Sequence, residues 1–204
     1  VSSMIFTTKN KVDFINLEKT DVQLAAALEF VATLAKTGKK ILFVGVKPES
    51  KKVVESTALS LGMPYVIERW IGGTLTNFPE IKKRISKLAD LQAKKANGEL
   101  DVYTKKEKLM IEREVERLSK LFSGVANITK TPDALFIIDT KKEHIAVKEA
   151  IMAGVPVIGL ANSDTNIRDI DFPIVANDAS AQSIAFFVEA IANAYKDGIT
   201  SAEK

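Results

Sequence analysis

Gly45-Val46-Lys47-Pro48-Glu49-Ser50 is the first stretch where chemistry is conceivable, because a glycine loop after a β-branched run is where doubly wound proteins cradle phosphate. One glycine stands where a dinucleotide fingerprint needs three, and Glu49 would repel phosphate at the start of the following helix. No Walker loop occurs anywhere. Gly72-Gly73-Thr74 could offer backbone amides to an anion, but paired glycines before a helix more often serve turn geometry. The only histidine, His144, falls beside Lys141, Lys142 and Glu143 in the first turn of an expected helix, with no serine–carboxylate arrangement near it. It reads as a surface or edge residue. Asp164, Asp169, Asp171 and Asp178 are dense enough to raise metal or acid/base chemistry, yet their spacing matches no calcium loop. Asn162-Ser163-Asp164-Thr165-Asn166 has the composition of turns and caps. With no cysteine, thiol nucleophiles, disulfides and Cys-ligated metals are excluded. The expectation is a protein without catalytic residues, metal or cofactor.

The elements around these residues predict an α/β architecture. Ile41 to Val46, Ala134 to Ile138, Val155 to Ala161 and, more weakly, Tyr65 to Ile67 are short apolar runs of the kind buried on both faces of a parallel sheet. Helical patterns lie between them. Thr20 and Asp21 can cap a helix through Leu24, Leu28, Val31 and Leu34 that stops at Gly38. A second helix runs from about Glu49 to Leu61 before Gly62, a third from Glu143 to Ala153 before Gly154, and a last from roughly Ala181 to Tyr195. Thr140 with Glu143 has capping-box spacing at the start of the third. Strand and helix alternating in this way predict a doubly wound parallel sheet.

Phe78 to Phe122 departs from that alternation. Ile81, Ile85, Leu88 and Leu91 form one apolar stripe, Ile111, Val115, Leu118 and Phe122 another, and Asn97-Gly98 breaks the chain between them. Thr104 and Glu107 repeat the capping-box spacing. The spacing predicts an antiparallel helical hairpin projecting as an arm, residues 79–122, inserted into an α/β domain made of residues 1–78 and 123–204.

Among the 204 residues, 46% hydrophobic and 27% charged, the net charge of +3 is unevenly placed. Glu80 to Lys120 holds 12 basic and eight acidic side chains, a net +4, which leaves the rest at −1. No apolar run approaches the ~18 residues of a membrane span, and no secretory pattern opens the chain, so a soluble protein is expected. A basic arm on a domain without catalytic residues favours a binding or scaffold role.

Arg69-Trp70-Ile71-Gly72-Gly73-Thr74-Leu75-Thr76-Asn77-Phe78 closely resembles the RWLGGTLTN signature of the bacterial-type small-subunit ribosomal protein two family. The resemblance continues through Asn10-Lys11-Val12, Ile15 to Thr20, Pro132 to Phe136, Ile138-Asp139, Glu143 to Ala150, Pro156-Val157, Ile170 to Ile174 and Asn177-Asp178, covering essentially the whole chain in order. Three departures stand out. The family's opening segment, with G-V-H-F-G-H and W-N-P-K-M motifs, has no counterpart here, and with Val1 at the start a shortened chain is expected. Asn162 to Ile167 replaces the family's D-T-N-C-D-P, and Gln182 stands where many members have arginine.

The resemblance implies a structural, non-enzymatic constituent of the small ribosomal subunit, cytoplasmic and ribosome-bound, with a flavodoxin-like domain and an inserted coiled-coil hairpin. It implies small-subunit ribosomal RNA as a partner, with neighbouring ribosomal proteins including ribosomal protein one, and neither cofactor nor membrane. Structured RNA is recognised largely through phosphate charge and shape, which suits Lys and Arg on rigid elements. The expected RNA-facing residues are Lys82, Lys83, Arg84 and Lys87, opposite the Ile81/Ile85/Leu88 stripe, with Lys9, Lys11 and Lys47 as additions. Lys105, Lys106 and Lys108 more often balance nearby glutamates. Arg69, Trp70, Gly72, Gly73, Thr74 and Asn77 read as structural, although Trp70 could stack on a base, and the Gly72-Gly73 turn is expected to set the hairpin's direction. Two other readings stay open: a nucleotide- or sugar-phosphate-binding enzyme of doubly wound fold with a pocket near Gly45, Asp139 and Asn162, and a coiled-coil scaffold for proteins.

Overall fold

The structure, a computed structural model, describes residues 4–9 and 12–202. In chain order the elements are β1 (Ile5–Lys9), β2 (Val12–Ile15), α1 (Leu17–Lys36), β3 (Ile41–Val44), α2 (Pro48–Leu61), β4 (Tyr65–Val66), α3 (Phe78–Ala96), α4 (Lys105–Phe122), β5 (Ala134–Ile138), α5 (His144–Ala153), β6 (Val157–Ala161), β7 (Phe172–Val175) and α6 (Ala181–Ala202). β3 to β7 form one parallel sheet in the spatial order β4-β3-β5-β6-β7. Counted within the sheet that order is 2-1-3-4-5, the flavodoxin-like version of the doubly wound fold.

Period-two alternation along each strand divides the core in two. Ile41, Phe43, Phe136, Ile138, Ile158 and Leu160 face α1, α2 and α6, meeting Val31, Val54, Ile184, Val188 and Ile191. Leu42, Val44, Leu135, Ile137 and Val157 face the other way, onto Ala146, Val147 and Ala150 of α5 and onto Trp70, Ile81, Leu88, Leu118 and Phe122. Side chains with no exposure, such as Phe43, Phe136 and Leu160, each contribute about 1.5–3 kcal/mol through burial. The start of α3 and the end of α4 are therefore rooted in the second core. Leu109 and Met110, at the far end of α4, are 47% and 62% exposed.

Two local expectations are corrected. α1 starts at Leu17, capped by the Asn16 side chain, which accepts the Lys19 N–H at 3.3 Å; the Thr20 hydroxyl instead donates to the Val175 carbonyl at 2.6 Å and ties α1 to β7. At α5 the Thr140/Glu143 capping box does not form. The Asp139 carboxylate accepts the Lys142 N–H at 3.0 Å, and the Thr140 hydroxyl is buried without a partner. β7, which none of the apolar runs marked in sequence, lies at the sheet edge, where the missing N–H of Pro173 is tolerated. The box at Thr104 and Glu107 forms as expected. β1 and β2 make a separate antiparallel pair ahead of α1, with Lys9 the last residue of β1. No described helix is long and apolar enough to cross a membrane.

Candidate nucleic-acid interface

In a sheet of this order ligands are held at the C-terminal ends of the strands flanking the switch between β3 and β5. That crevice is filled by the protein itself. The Lys47 ammonium lies 2.8 Å from Asp139 and 3.0 Å from Asp178, and also donates to the Asp178 carbonyl at 3.1 Å. Asn162 donates to the same Asp178 carboxylate at 2.9 Å. Burial pushes the Lys47 pKa down, but the bonds and charges of the two aspartates outweigh it and hold it above the ordinary lysine value. A Cβ on Gly45 would sit 2.7 Å from a Val54 methyl and 2.9 Å from the Ser50 hydroxyl, so this glycine admits α2 against the strand rather than a phosphate. A cleft of about 370 Å³ lined by Lys40, Pro64, Gly124 and Pro132 lies at the opposite, N-terminal ends of the strands. Among the described residues no group of His, Asp or Glu is arranged to hold a metal ion.

The signature segment Arg69 to Asn77 wraps around one carboxylate. Glu149, on the sheet-facing side of α5 and 7% exposed, accepts the Trp70 indole N–H at 3.2 Å and the Gly73 N–H at 2.7 Å on one oxygen. Its other oxygen accepts the Leu75 N–H at 3.1 Å and the Thr76 N–H and hydroxyl, each at 3.4 Å. Burial pushes the Glu149 pKa up, yet the donors from Gly73, Leu75, Trp70 and Thr76 prevail and the net shift is downward. Trp70, 6% exposed, packs in the second core and has no free face for a base. The Thr74 hydroxyl donates to the Ile71 carbonyl at 2.6 Å, Gly73 takes a φ of +92°, and Asn77 precedes α3 without a side-chain cap. Arg69 is exposed, and Gly72 has room for a Cβ. Sequence reasoning passed over Glu149; its one signal is an acid among the inward positions Ala146, Val147 and Ala150.

From this loop α3 leads outward. Ile81 and Leu88 are buried while Lys82, Lys83, Arg84 and Lys87 are all exposed on the remaining faces. Lys83 pairs with Glu80 and Lys87 with Glu114 of α4, at 3.4 Å for the second. The Lys82 ammonium stands 5.6 Å from the centre of the Phe78 ring. Arg84 has no carboxylate partner among the described residues. Along the contact between the helices, Lys95 meets Glu112 at 3.3 Å and Gln92 meets Ser119 at 3.4 Å. Lys9 is exposed at the end of β1, and Lys11 lies outside the described residues. Lys9 belongs to β1, Lys47 precedes α2, and the four cations of α3 form a basic ridge, so the expected set is drawn from three elements.

The family model described as ribosomal protein S2 matches residues 1–198. The chain belongs to the ribosomal protein S2 family. Relatives named small ribosomal subunit protein uS2 cover most of it: that of Parabacteroides distasonis is 44% identical over 96% of this chain and 70% of its own length. That of Chlorobium phaeobacteroides is 42% identical over 93% of this chain and 75% of its own, and that of Chloroherpeton thalassium 42% over 95% and 77%. Family membership corrects the open enzyme reading, because ribosomal protein S2 is a structural component rather than a catalyst. The filled crevice gives the physical counterpart: Gly45, Asp139 and Asn162 are committed to packing and to the ion cluster around Lys47.

Proposed function

We propose that this S2-family chain, a structural component of the small ribosomal subunit in the cytoplasm, holds ribosomal RNA through the outward ridge of α3. Residues 79–122 act as an inserted coiled-coil arm on the body formed by residues 1–78 and 123–204. The observation that carries the reading is a run of four exposed cations around the faces of one helix that its buried stripe leaves open, Lys83 and Lys87 opposite the stripe and Lys82 and Arg84 flanking it. A-form RNA presents closely spaced phosphates and little readable base edge, so charge at fixed spacing is the matching chemistry. The pairs at Lys83 and Lys87 are exposed, worth at most about 1 kcal/mol each, and a phosphate can displace their glutamates. Lys9 and Lys11 are secondary candidates, and Lys47 leaves the set because two aspartates already neutralise it. Neighbouring ribosomal proteins, ribosomal protein one among them, complete the partners; the exposed apolar residues Val102, Tyr103, Leu109 and Met110 give the arm a surface for them.

The test is replacement of Lys82, Lys83, Arg84 and Lys87 by alanine, with binding to small-subunit ribosomal RNA measured across a salt series. Affinity should fall, and the slope of log K against log salt should flatten by about 0.7–0.9 for each phosphate that is no longer neutralised. Unchanged affinity and slope in the folded variant would overturn the reading.

A further inference from the structure

We infer that Glu149 is a positioning residue for the α3 ridge: by gathering the loop before α3 onto α5, its carboxylate fixes the direction in which the basic helix leaves the body. The inference rests on the RNA-facing role proposed for the ridge.

Five donors from four loop residues converge on one side chain, and three of them are backbone amides. A loop of this kind has no strand or helix ladder to satisfy those amides, so without the carboxylate they would have to turn toward water and the loop would change course. From the loop the constraint passes directly into the helix. The Asn77 N–H donates to the Gly73 carbonyl at 2.8 Å, and the Glu80 and Ile81 N–H groups donate to the Asn77 carbonyl at 3.1 and 3.4 Å. Gly73, held by Glu149, is therefore one hydrogen bond from the first turn of α3.

Packing alone supplies a weaker constraint. Leu75 and Trp70 share the second core with Ile81 and Leu88, but apolar contacts are not directional and tolerate a swing of the helix that keeps them covered. The charged acceptor adds direction, since hydrogen bonds to an ionised group are short, strong and angle-dependent. Lys82 to Lys87 lie one to three turns beyond the anchored loop, so a small rotation at the loop displaces the ridge while leaving its own helix intact.

The chain has no cysteine, so two introduced ones can carry spin labels without interference. Ala153→Cys on α5 and Ala89→Cys on α3 are both exposed. The distance distribution between them is read by dipolar electron paramagnetic resonance in the Glu149 protein, in Glu149→Gln, which keeps shape but turns an NH2 toward the loop amides, and in Glu149→Asp. Trp70→Phe and Thr76→Val remove one donor each should Glu149→Gln fail to fold. Gly198→Ala, which strains the packing of α6 on α1 far from the loop, controls for reduced stability alone. Glu149→Gln should broaden or shift the distribution, Glu149→Asp should restore part of the narrow peak, and Gly198→Ala should leave it narrow. An unchanged distribution in folded Glu149→Gln and in both single-donor variants would overturn the inference, as would equal broadening in Gly198→Ala. Binding to small-subunit ribosomal RNA is measured on the same samples: a broadened distribution with unaltered RNA affinity would sustain the positioning of α3 while refuting the ridge as its RNA contact.

Discussion

Glu143 and Glu149 are each 7% exposed, stand at the start and in the middle of α5, and shift their pKa values in opposite directions. The difference is the number of donors. Glu149 accepts from four loop residues, whereas no hydrogen bond reaches the Glu143 carboxylate among the described residues. At Glu143 burial therefore dominates and raises the pKa, with Lys142 lowering it and Asp139 raising it further.

The signs give a paired pH prediction. Glu149 has a folded pKa below its unfolded value of about 4.5, so its stabilisation is complete above that value and is lost as pH falls through the folded pKa. Glu143 is raised, so its ionised form costs stability at neutral pH and the cost disappears on acidification. In urea titrations at pH 7, Glu149→Gln should lose about 2–3 kcal/mol and Glu143→Gln should gain on the order of 1 kcal/mol. Both differences should shrink toward pH 3. A gain for Glu149→Gln at pH 7 would contradict the donor count.

Gly72 and Gly73 look equivalent in sequence and are not. Gly73 has φ +92° and a Cβ there would come 3.3 Å from the Asn77 Cβ, while a Cβ at Gly72 meets only a Glu149 oxygen at 3.9 Å. Gly73→Ala should cost about 1–2 kcal/mol from the left-handed backbone, and Gly72→Ala should stay within about 0.5 kcal/mol. Thermal unfolding of the two single variants measures this directly. Equal losses would mean that both glycines are required by the turn.

The doubly wound sheet was legible because Ile41 to Val44, Ala134 to Ile138 and Val157 to Ala161 are uninterrupted apolar runs punctuated by helices that stop at Gly38, Gly62 and Gly154. β7 was not, because a proline in an edge strand carries the same local signal as a loop. The basic ridge was legible from the 3.6-residue period of α3, which needs only local sequence. Glu149 and the Lys47 cluster were not, because their partners lie more than 70 residues away and nothing local marks the meeting. Thr20 and Thr140 mislead for different reasons: the Thr20 hydroxyl is drawn to the distant Val175 carbonyl, while at α5 the neighbouring Asp139 carboxylate takes the Lys142 N–H.

Gly198 lies inside α6, where propensity alone favours alanine by up to about 1 kcal/mol. Here α6 presses against α1, and a Cβ would come 2.6 Å from the Ala35 Cβ and 2.7 Å from the Ala32 carbonyl oxygen. Neither is the end of a flexible side chain, so the helices would have to separate. Gly198→Ala should therefore destabilise by about 1–3 kcal/mol. A raised unfolding temperature would show that the packing of α6 on α1 relaxes freely.

Lys47 tests the division between a structural cation and the α3 cations proposed to bind RNA. Its side chain is 19% exposed and the Asp178 side chain 3% exposed, so Lys47→Met would leave two carboxylates facing each other with little solvent to screen them. A loss of about 3 kcal/mol is expected. The folded pKa lies above 10.5, so the stabilisation is complete below that pH and is lost as pH rises through the folded value. Alkaline unfolding of the unmodified chain should thus contain a component that Lys47→Met lacks. Under conditions where both proteins are folded, the salt slope for ribosomal RNA should be the same in Lys47→Met and in the unmodified chain, whereas Arg84→Ala should flatten it by about 0.7–0.9. A slope flattened equally by Lys47→Met would mean that phosphate competes successfully with Asp139 and Asp178, and would return Lys47 to the RNA-facing set.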